Sequence, residues 1–521
     1  MFSHKLSIIS LVLIVAIFLT ITGNVVFFSK ILDTSLSENL GYVASLFIWL
    51  FVVLSTILLL ISNQYSAKPI LIIILFSSAM VSYFTNNYGT IFDENMIANT
   101  MGTNWAESIG LLSFKLLLYV VILGIIPSYW VYKVETVHHQ LPQELWRRFK
   151  VFLSLIIVFV VITLVFFKSY TALFKEYAYL RLYINPTYHL YAIGQTINSQ
   201  FKTQRMPFKV IGEDARIDRD SQHKKLVIMI AGETARADRF SLNGYQRLTN
   251  PLLTKESVLS FSQMSSCGTD TAYSLPCMFS SLGRSDYSHT QGKNMSNILD
   301  ILNHAGVEVL WRDNNSSSKG VANRVTYQDF KTSSNNPMCD VECRDVGMLD
   351  GLQDYISTHK NQDILVVLHM MGSHGPAYYK RYPKAFEKFT PTCKTNQFSK
   401  CTDEMINNAY DNTIVYTDYF LSQVIALLKK NQTHQSAMLY MSDHGESLGE
   451  KELYLHGMPY FIAPKEQTHV ASIAWFDKKF STEVTKGKKD LALSHDGLFH
   501  TLLGLFDVRT KVYEQKLDFI R

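Results

Sequence analysis

Residues 226–233 read "LVIMIAGE", seven apolar or small residues followed by a carboxylate. A run this short, apolar throughout, suits a strand buried on both faces of a parallel sheet. Three further runs repeat the pattern: "VEVLW" (307–311), "DILVVLHMMG" (363–372) and "SAMLYMS" (436–442). Helix-like stretches lie between them, at about 294–305, 347–358 and 407–430. Strands alternating with helices imply an α/β layer with a mostly parallel central sheet. Each run ends in polar residues. Glu233 follows the first, Asp313, Asn314 and Asn315 the second, Ser373 and His374 the third, and Asp443 and His444 the fourth. In open α/β sheets the site lies outside the carboxyl ends of the strands. These four ends therefore predict one polar pocket assembled from distant segments.

The candidate ligands there are Glu233, Asp443, His444, His374 and His456, all oxygen or imidazole donors. That set suits zinc or manganese better than copper(I) or an iron–sulfur centre. Asp443-His444 alone could be a loop cap with a surface histidine, and His456 alone a structural residue; gathered at strand ends, the set favours a metal. The segment "SSCGTDTAYSLPCMFS" (265–280) supplies hydroxyls. A serine or threonine hydroxyl is a poor nucleophile at neutral pH, and coordination to a divalent cation lowers its pKa as it does for bound water. Thr269, Thr271, Ser274 and, in "GETAR", Thr234 are the candidates, and their chemistry alone does not choose among them. "SLPCM" begins like the S-x-P-x-R modification motif of sulfatases, but Met278 replaces the arginine, which disfavours a formylglycine. His495-Asp496 reads as structural, with Ser494 as an N-cap and Asp496 in a first helical turn.

A chain of 521 residues implies more than one domain. Apolar residues make up 47% and charged residues 18%, and the first 170 residues hold five long apolar runs, roughly 6–29, 42–62, 69–87, 111–133 and 149–167. Each approaches the ~20 residues that a helix needs to cross a bilayer. The first lacks a small-x-small cleavage site and four more runs follow it, so it reads as an anchor. Lys115, inside the fourth run, reads as a snorkelling side chain. Lys5, Lys68, Arg147, Arg148 and Lys150 flank the runs on one side; the loop 88–110 carries Asp93, Glu94 and Glu107 and no Lys or Arg. That asymmetry puts the N-terminus in the cytoplasm and everything after about residue 168 on the far side. We expect a transmembrane domain over 1–168 and a connector over 169–222, whose "YTALFKEYAYLRLYINPTYHLYAIGQTINSQF" (170–201) suits the headgroup layer. A catalytic domain should follow over 223–521. All six cysteines fall in the exported part, which favours disulfides over thiolate metal sites and a bacterial periplasm or its equivalent. Six cysteines allow fifteen connectivities, of which the sequence-local set 267–277, 339–343 and 393–401 is the simplest. A net charge of +5 without a basic block argues against nucleic acid as a partner.

Several long motifs occur together: "GETARADRFSLNGYQRLTNP" (232–251), "SSCGTDTAYSLPCMFS", "DNNSSSKG" (313–320), "HMMGSHGPAYYKRYP" (369–383) and "SDHGESLGEKELYLHGMPY" (442–460). In these, and along essentially its whole length, the chain resembles the lipid A phosphoethanolamine transferases, the group that includes the chromosomal and mobile colistin-resistance enzymes, within the alkaline phosphatase/sulfatase-like superfamily. The resemblance implies five membrane spans and a periplasmic catalytic domain. It makes Thr271 the zinc-ligating nucleophile that carries the covalent phosphoethanolamine, with Glu233, Asp443 and His444 as the other ligands. It gives His374 and His456 contact with the transferred phosphate or with a second zinc, and puts Thr269, Asn315 and Lys319 in the phosphoethanolamine pocket. It also supports the local pairing of Cys267, Cys277, Cys339, Cys343, Cys393 and Cys401, the middle pair closing a tighter loop than in the mobile enzymes. The implied reaction takes phosphoethanolamine from phosphatidylethanolamine to a lipid A phosphate at the inner membrane, conferring resistance to polymyxin, and a monomer is expected. The alternatives are the same transfer to a core sugar or periplasmic glycan, and a non-catalytic membrane-anchored sensor or scaffold.

Overall fold

The computed structural model describes residues 5–520 apart from 104–107, 109, 138, 220–222 and 481–489. Glu107 and the expected connector end at 220–222 lie outside the described residues. The chain forms two compact units, Met1–Ile97 with Leu112–Gln195, and Ala98–Leu111 with Thr196–Arg521.

In the first unit, helices Leu40–Ile61, Ala67–Tyr88, Phe114–Lys133 and Leu141–Val165 are long and apolar enough to cross a membrane. The first expected span is broken: helices Ile8–Gly23 and Val25–Leu32 meet at a 54° bend, and they complete a set of five if counted as one span. The break falls at Asn24, a buried amide among apolar residues. Buried amides need partners: Asn24 Nδ2 donates to the Leu19 carbonyl of the preceding helix at 3.0 Å, and the side chain also reaches beyond that helix. Its Nδ2 donates to the Asn185 carbonyl at 2.7 Å, and its Oδ1 accepts from Asn185 N at 2.9 Å. Asn185 Nδ2 in turn donates to the Ser78 carbonyl and to Ser82 Oγ. One polar cross-tie thus joins the bend, the Ala67–Tyr88 helix and the connector.

The second unit is built on a seven-stranded sheet. Its strands are β1 (Lys224–Gly232), β2 (Leu259–Ser260), β3 (Glu308–Asp313), β4 (Thr326–Asp329), β5 (Ile364–His369), β6 (His434–Ser442) and β7 (Ser472–Phe476). The order across the sheet is β2-β7-β6-β1-β5-β3-β4. Strands β6, β1, β5, β3 and β4 run parallel, while β7 pairs antiparallel with both β6 and β2. The four apolar runs read from the sequence are β1, β3, β5 and β6, the contiguous centre of the sheet. They are mainly apolar because both faces are covered. Val227, Met229 and Ala231 face a core shared with helices Ile298–His304 and Leu498–Leu505. Leu226, Ile228 and Ile230 are equally buried, and helix Asp403–Lys430 packs against β6. That helix starts at a Thr402 cap, with Asp403 and Glu404 in its first turn and Lys429 and Lys430 in its last. Both charge placements complement the helix dipole.

The three disulfides are local: Cys267–Cys277, Cys339–Cys343 and Cys393–Cys401. No cysteine is left free. Thiol labelling of unreduced, denatured protein should therefore detect almost no thiol, and six after reduction; substantial labelling before reduction would contradict the pairing.

Candidate active site

Strand register builds the site. Ser442 pairs with Gly232, Ala231 with His369, and Asp313 with His369. The carboxyl ends of β6, β1, β5 and β3 are therefore level. The next residues, Asp443 and His444, Glu233, and Asn314 and Asn315, emerge side by side. The turn after β1 is strained, since Thr234 has φ +53° without being glycine. Such residues cost on the order of 1–3 kcal/mol and persist where surrounding contacts fix them. Here Thr234 N donates to Asp443 Oδ1 at 3.2 Å, and the Tyr410 hydroxyl donates to the Thr234 carbonyl at 2.6 Å. Gly372 packs against the same turn. Its φ is +50°, and a Cβ there would lie 2.8 Å from the Glu233 carbonyl oxygen.

Thr271 opens helix Thr271–Met278, whose N-cap Asp270 accepts from Tyr273 N at 3.0 Å. The Thr271 hydroxyl lies 3.1 and 3.3 Å from the Glu233 carboxylate oxygens and 3.2 Å from His444 Nε2. His444 Nδ1 is 2.9 Å from the Gly445 carbonyl, which can only accept, so the proton sits on Nδ1 and Nε2 presents a lone pair. Asp443 Oδ2 is buried with no hydrogen-bond partner, 3.3 Å from that Nε2. Thr271 thus has one proton to share among several electron-pair donors. Glu233, Asp443 and His444 are fully buried, and one ligand atom from each falls within a 4.8 Å group. Burial raises the Asp443 pKa and holds that of His444 well down. Converging lone pairs, two buried carboxylates and an orphaned oxygen fit a divalent cation, since buried charges require a counter-charge.

A second layer orients these donors. Asn315 Nδ2 donates to Glu233 Oε2 at 2.7 Å and to the Met370 carbonyl at 2.8 Å. Asp313 accepts from Asn315 N, Trp311 Nε1 and His369 Nδ1 at 2.9–3.0 Å. The His456 ring lies 4.3 Å from that of His444 and 5.6 Å from that of His374. Glu446 Oε2 sits 2.7 Å from His456 Nδ1, and Tyr378 donates to Glu446 Oε1 at 2.6 Å. Burial alone would lower the His456 pKa, but the Glu446, Asp443 and Asp270 carboxylates together outweigh it and the pKa rises. His374, buried and near Arg381, is pushed down.

The structure therefore gathers Glu233, Thr271, Asp443, His444, Asn315, His374 and His456. It places the other candidates differently. Thr269 uses its hydroxyl on the Met458 carbonyl at 2.6 Å and its carbonyl on Gly457 N at 2.8 Å, securing the loop that carries His456. Ser274 donates to the Asp443 carbonyl, and the Thr234 hydroxyl is buried without a partner. Lys319 has φ +49°, and its Nζ is 3.3 Å from the Gly102 carbonyl. Ser494 makes no capping bond. His495 instead accepts from Cys267 N at 3.1 Å and donates to the Ser442 carbonyl at 3.0 Å, supporting both the nucleophile loop and the end of β6. Glu446, Tyr378, Tyr410 and His369 escaped the sequence reading. For Glu446 the only available signal was its place in "SDHGES".

Comparison with known proteins bears on what such a site does. The Sulfatase family profile matches residues 225–508. The profile described as "Phosphoethanolamine transferase EptA/EptB" matches residues 50–201. Phosphatidylethanolamine transferase Mcr-1 of Escherichia coli is 42% identical over 98% of this chain and 97% of its own. The chain belongs to the phosphoethanolamine transferase family. Phosphoethanolamine transferase EptA of Escherichia coli K12 is 37% identical over 99% of this chain and 97% of its own. The solved integral membrane lipooligosaccharide phosphoethanolamine transferase A (EptA) of Neisseria meningitidis superposes with a TM-score of 0.95 at 34% identity, covering 99% of both chains. The transferase thus combines apolar N-terminal helices with an alkaline phosphatase/sulfatase-like domain.

Because Asn315 orients Glu233, Asn315→Ala should weaken divalent-cation affinity about 10–100-fold, the usual cost of losing such a partner. Competition with a chromogenic chelator would measure it; unchanged affinity would show that Glu233 needs no such support.

Proposed function

We propose that the transferase moves phosphoethanolamine from phosphatidylethanolamine to a phosphate of lipid A by double displacement through Thr271, with zinc as cofactor, on the periplasmic side of a Gram-negative inner membrane. The observation that carries this reading is the Thr271 hydroxyl, held 3.1–3.3 Å from the Glu233 carboxylate and His444 Nε2. Glu233, Thr271, Asp443 and His444 would hold the ion, which when bound supplies positive charge that favours the deprotonated hydroxyl and offsets charge on phosphoryl oxygens.

Thr271 Oγ attacks phosphorus and forms an O–P bond while the bond to the glycerol oxygen breaks. Diacylglycerol leaves with a proton. In the second half a phosphate oxygen of lipid A attacks the same phosphorus, and the Thr271 O–P bond breaks. Asn315 keeps the Glu233 carboxylate turned toward Thr271. Thr269 secures the loop that presents His456. His374 and His456 contact the transferred phosphate or hold a second ion, and the Glu446 partner favours the phosphate-contacting role for His456 because it stabilises the imidazolium. Lys319 contributes a further cation toward the phosphoethanolamine pocket. Each transfer adds an ammonium to an anionic lipid, so the outer membrane should bind polymyxin and other cationic peptides more weakly.

Incubation with donor and no acceptor should leave a phosphoethanolamine adduct on the 265–280 peptide at Thr271. Thr271→Ala should abolish the adduct and both half-reactions, an effect of several orders of magnitude. Thr269→Ala should be slower yet still form it. An adduct elsewhere, or none while diacylglycerol is released, would refute the assignment. Chelation should stop transfer and zinc restore it; full activity after verified metal loss would refute the cofactor. Mass spectrometry of lipid A from expressing cells would test the acceptor, and an unmodified lipid A would exclude it.

A further inference from the structure

Along one flank of the nucleophile helix runs a cavity of about 470 Å³, within the range of roughly 300–1,000 Å³ typical of small-molecule pockets. Ala272 and Pro276 form its wall on the helix Thr271–Met278, so it begins one residue beyond the nucleophile. Its lining includes Lys293, Lys319 and Arg324 and, among the described residues, no Asp or Glu. Arg324 is fixed by a two-pronged bond to Asp300, at 2.7 and 2.6 Å. The Lys319 ammonium donates to the Gly102 carbonyl and acts on the Asp270 carboxylate at a distance, and among the described residues no salt bridge pairs a carboxylate with Lys293 or Lys319. Among the described residues these two cations are at most partly offset, by Asp270 acting on Lys319, an excess that suits a phosphate monoester, which carries roughly −1.5 to −2 charges at neutral pH. His289 also lines the cavity, and both its ring nitrogens are without a hydrogen-bond partner. Its ring lies 5.3 Å from Tyr273 and 6.3 Å from Tyr287. Buried imidazole nitrogens call for a polar partner, and a sugar hydroxyl supplies one.

We propose that this cleft is the acceptor subsite, holding one phosphorylated sugar of the acceptor while the acceptor's other phosphate is at Thr271. The assignment rests on the transfer reading above. The donor does not fit the cleft, because its single phosphate is needed at Thr271 and its ammonium would meet Lys293. A glycolipid headgroup with a phosphate at each end of a sugar pair brings the second anion. Lys293 then selects doubly phosphorylated acceptors, and Lys319 lines the same cleft.

The test has two arms on the full-length protein in detergent. The first measures binding of the delipidated glucosamine disaccharide carrying two phosphates or one. Loss of a charged hydrogen bond costs about 1.5–3 kcal/mol, so Lys293→Gln should weaken binding of the doubly phosphorylated sugar about tenfold and that of the singly phosphorylated sugar hardly at all. Lys293→Glu should weaken it further, and Lys293→Arg should restore it. The second arm preforms the adduct with phosphatidylethanolamine and follows a single transfer to lipid A, whose half-saturating concentration should rise in parallel. Equal affinity in all variants, or equal loss for both sugars, would overturn the cleft. So would a Lys293→Gln defect confined to binding of phosphatidylglycerol vesicles, which would make Lys293 a bilayer contact. Failure of the wild-type adduct with selective sugar binding intact would overturn the Thr271 chemistry and leave the cleft standing.

Discussion

The Thr271 hydroxyl has one proton and faces the Glu233 carboxylate and the His444 lone pair, with the orphaned Asp443 oxygen beside that lone pair. Without a cation this is an unfavourable concentration of buried negative charge. With one it becomes a preorganised binding site, because the donors need not move to meet the ion. Much of the second unit can be understood as the means of holding those few atoms together. The level strand ends set their height, the strained Thr234 turn aims Glu233 and Asp443 at one point, and the Asp270 cap starts the helix that delivers Thr271.

That arrangement depends on β1 being central. It pairs with β6 on one side and β5 on the other, each in parallel. A one-residue slip in either pairing would reverse which face each side chain occupies and would carry the β6 ligands or the β5 end away from Glu233. The mainly apolar character of these strands gives register little help from alternation. The polar residues at their ends help fix it, through Thr234 N to Asp443, Asn315 to Glu233 and His369 to Asp313. Function and fold specification are carried by the same contacts.

The centre of the sheet was legible because strands covered on both faces are written as plain apolar runs. β2, β4 and β7 were not. β2 has two residues, "TYQD" in β4 is polar and partly exposed, and "SIAWF" in β7 is a five-residue run preceded by no more than the one-turn helix Lys465–Thr468. The long helix was read from 407 instead of Asp403 because its first turn is a charged cap without apolar periodicity. In the site, the strand-end residues could be read and their helpers could not. Tyr378 and Glu446 are 68 residues apart, and Tyr410 and Thr234 are 176 apart, both beyond any local spacing rule. Residue chemistry alone did not choose among the hydroxyls; the resemblance named Thr271, and the structure shows what each faces, Thr271 toward Glu233 and His444, Thr269 and Ser274 toward backbone carbonyls.

The disulfides join residues 10, 4 and 8 positions apart. Cross-links of such short reach remove little freedom from the unfolded chain as a whole. They also relate each cysteine to a neighbour that crosses the membrane moments after it during secretion. Oxidation can then proceed segment by segment as the polypeptide emerges, with each correct partner at a far higher effective concentration than any distant thiol. The exported unit accordingly has no need to complete its seven-stranded sheet before its covalent framework is correct, and little need for bond reshuffling afterwards.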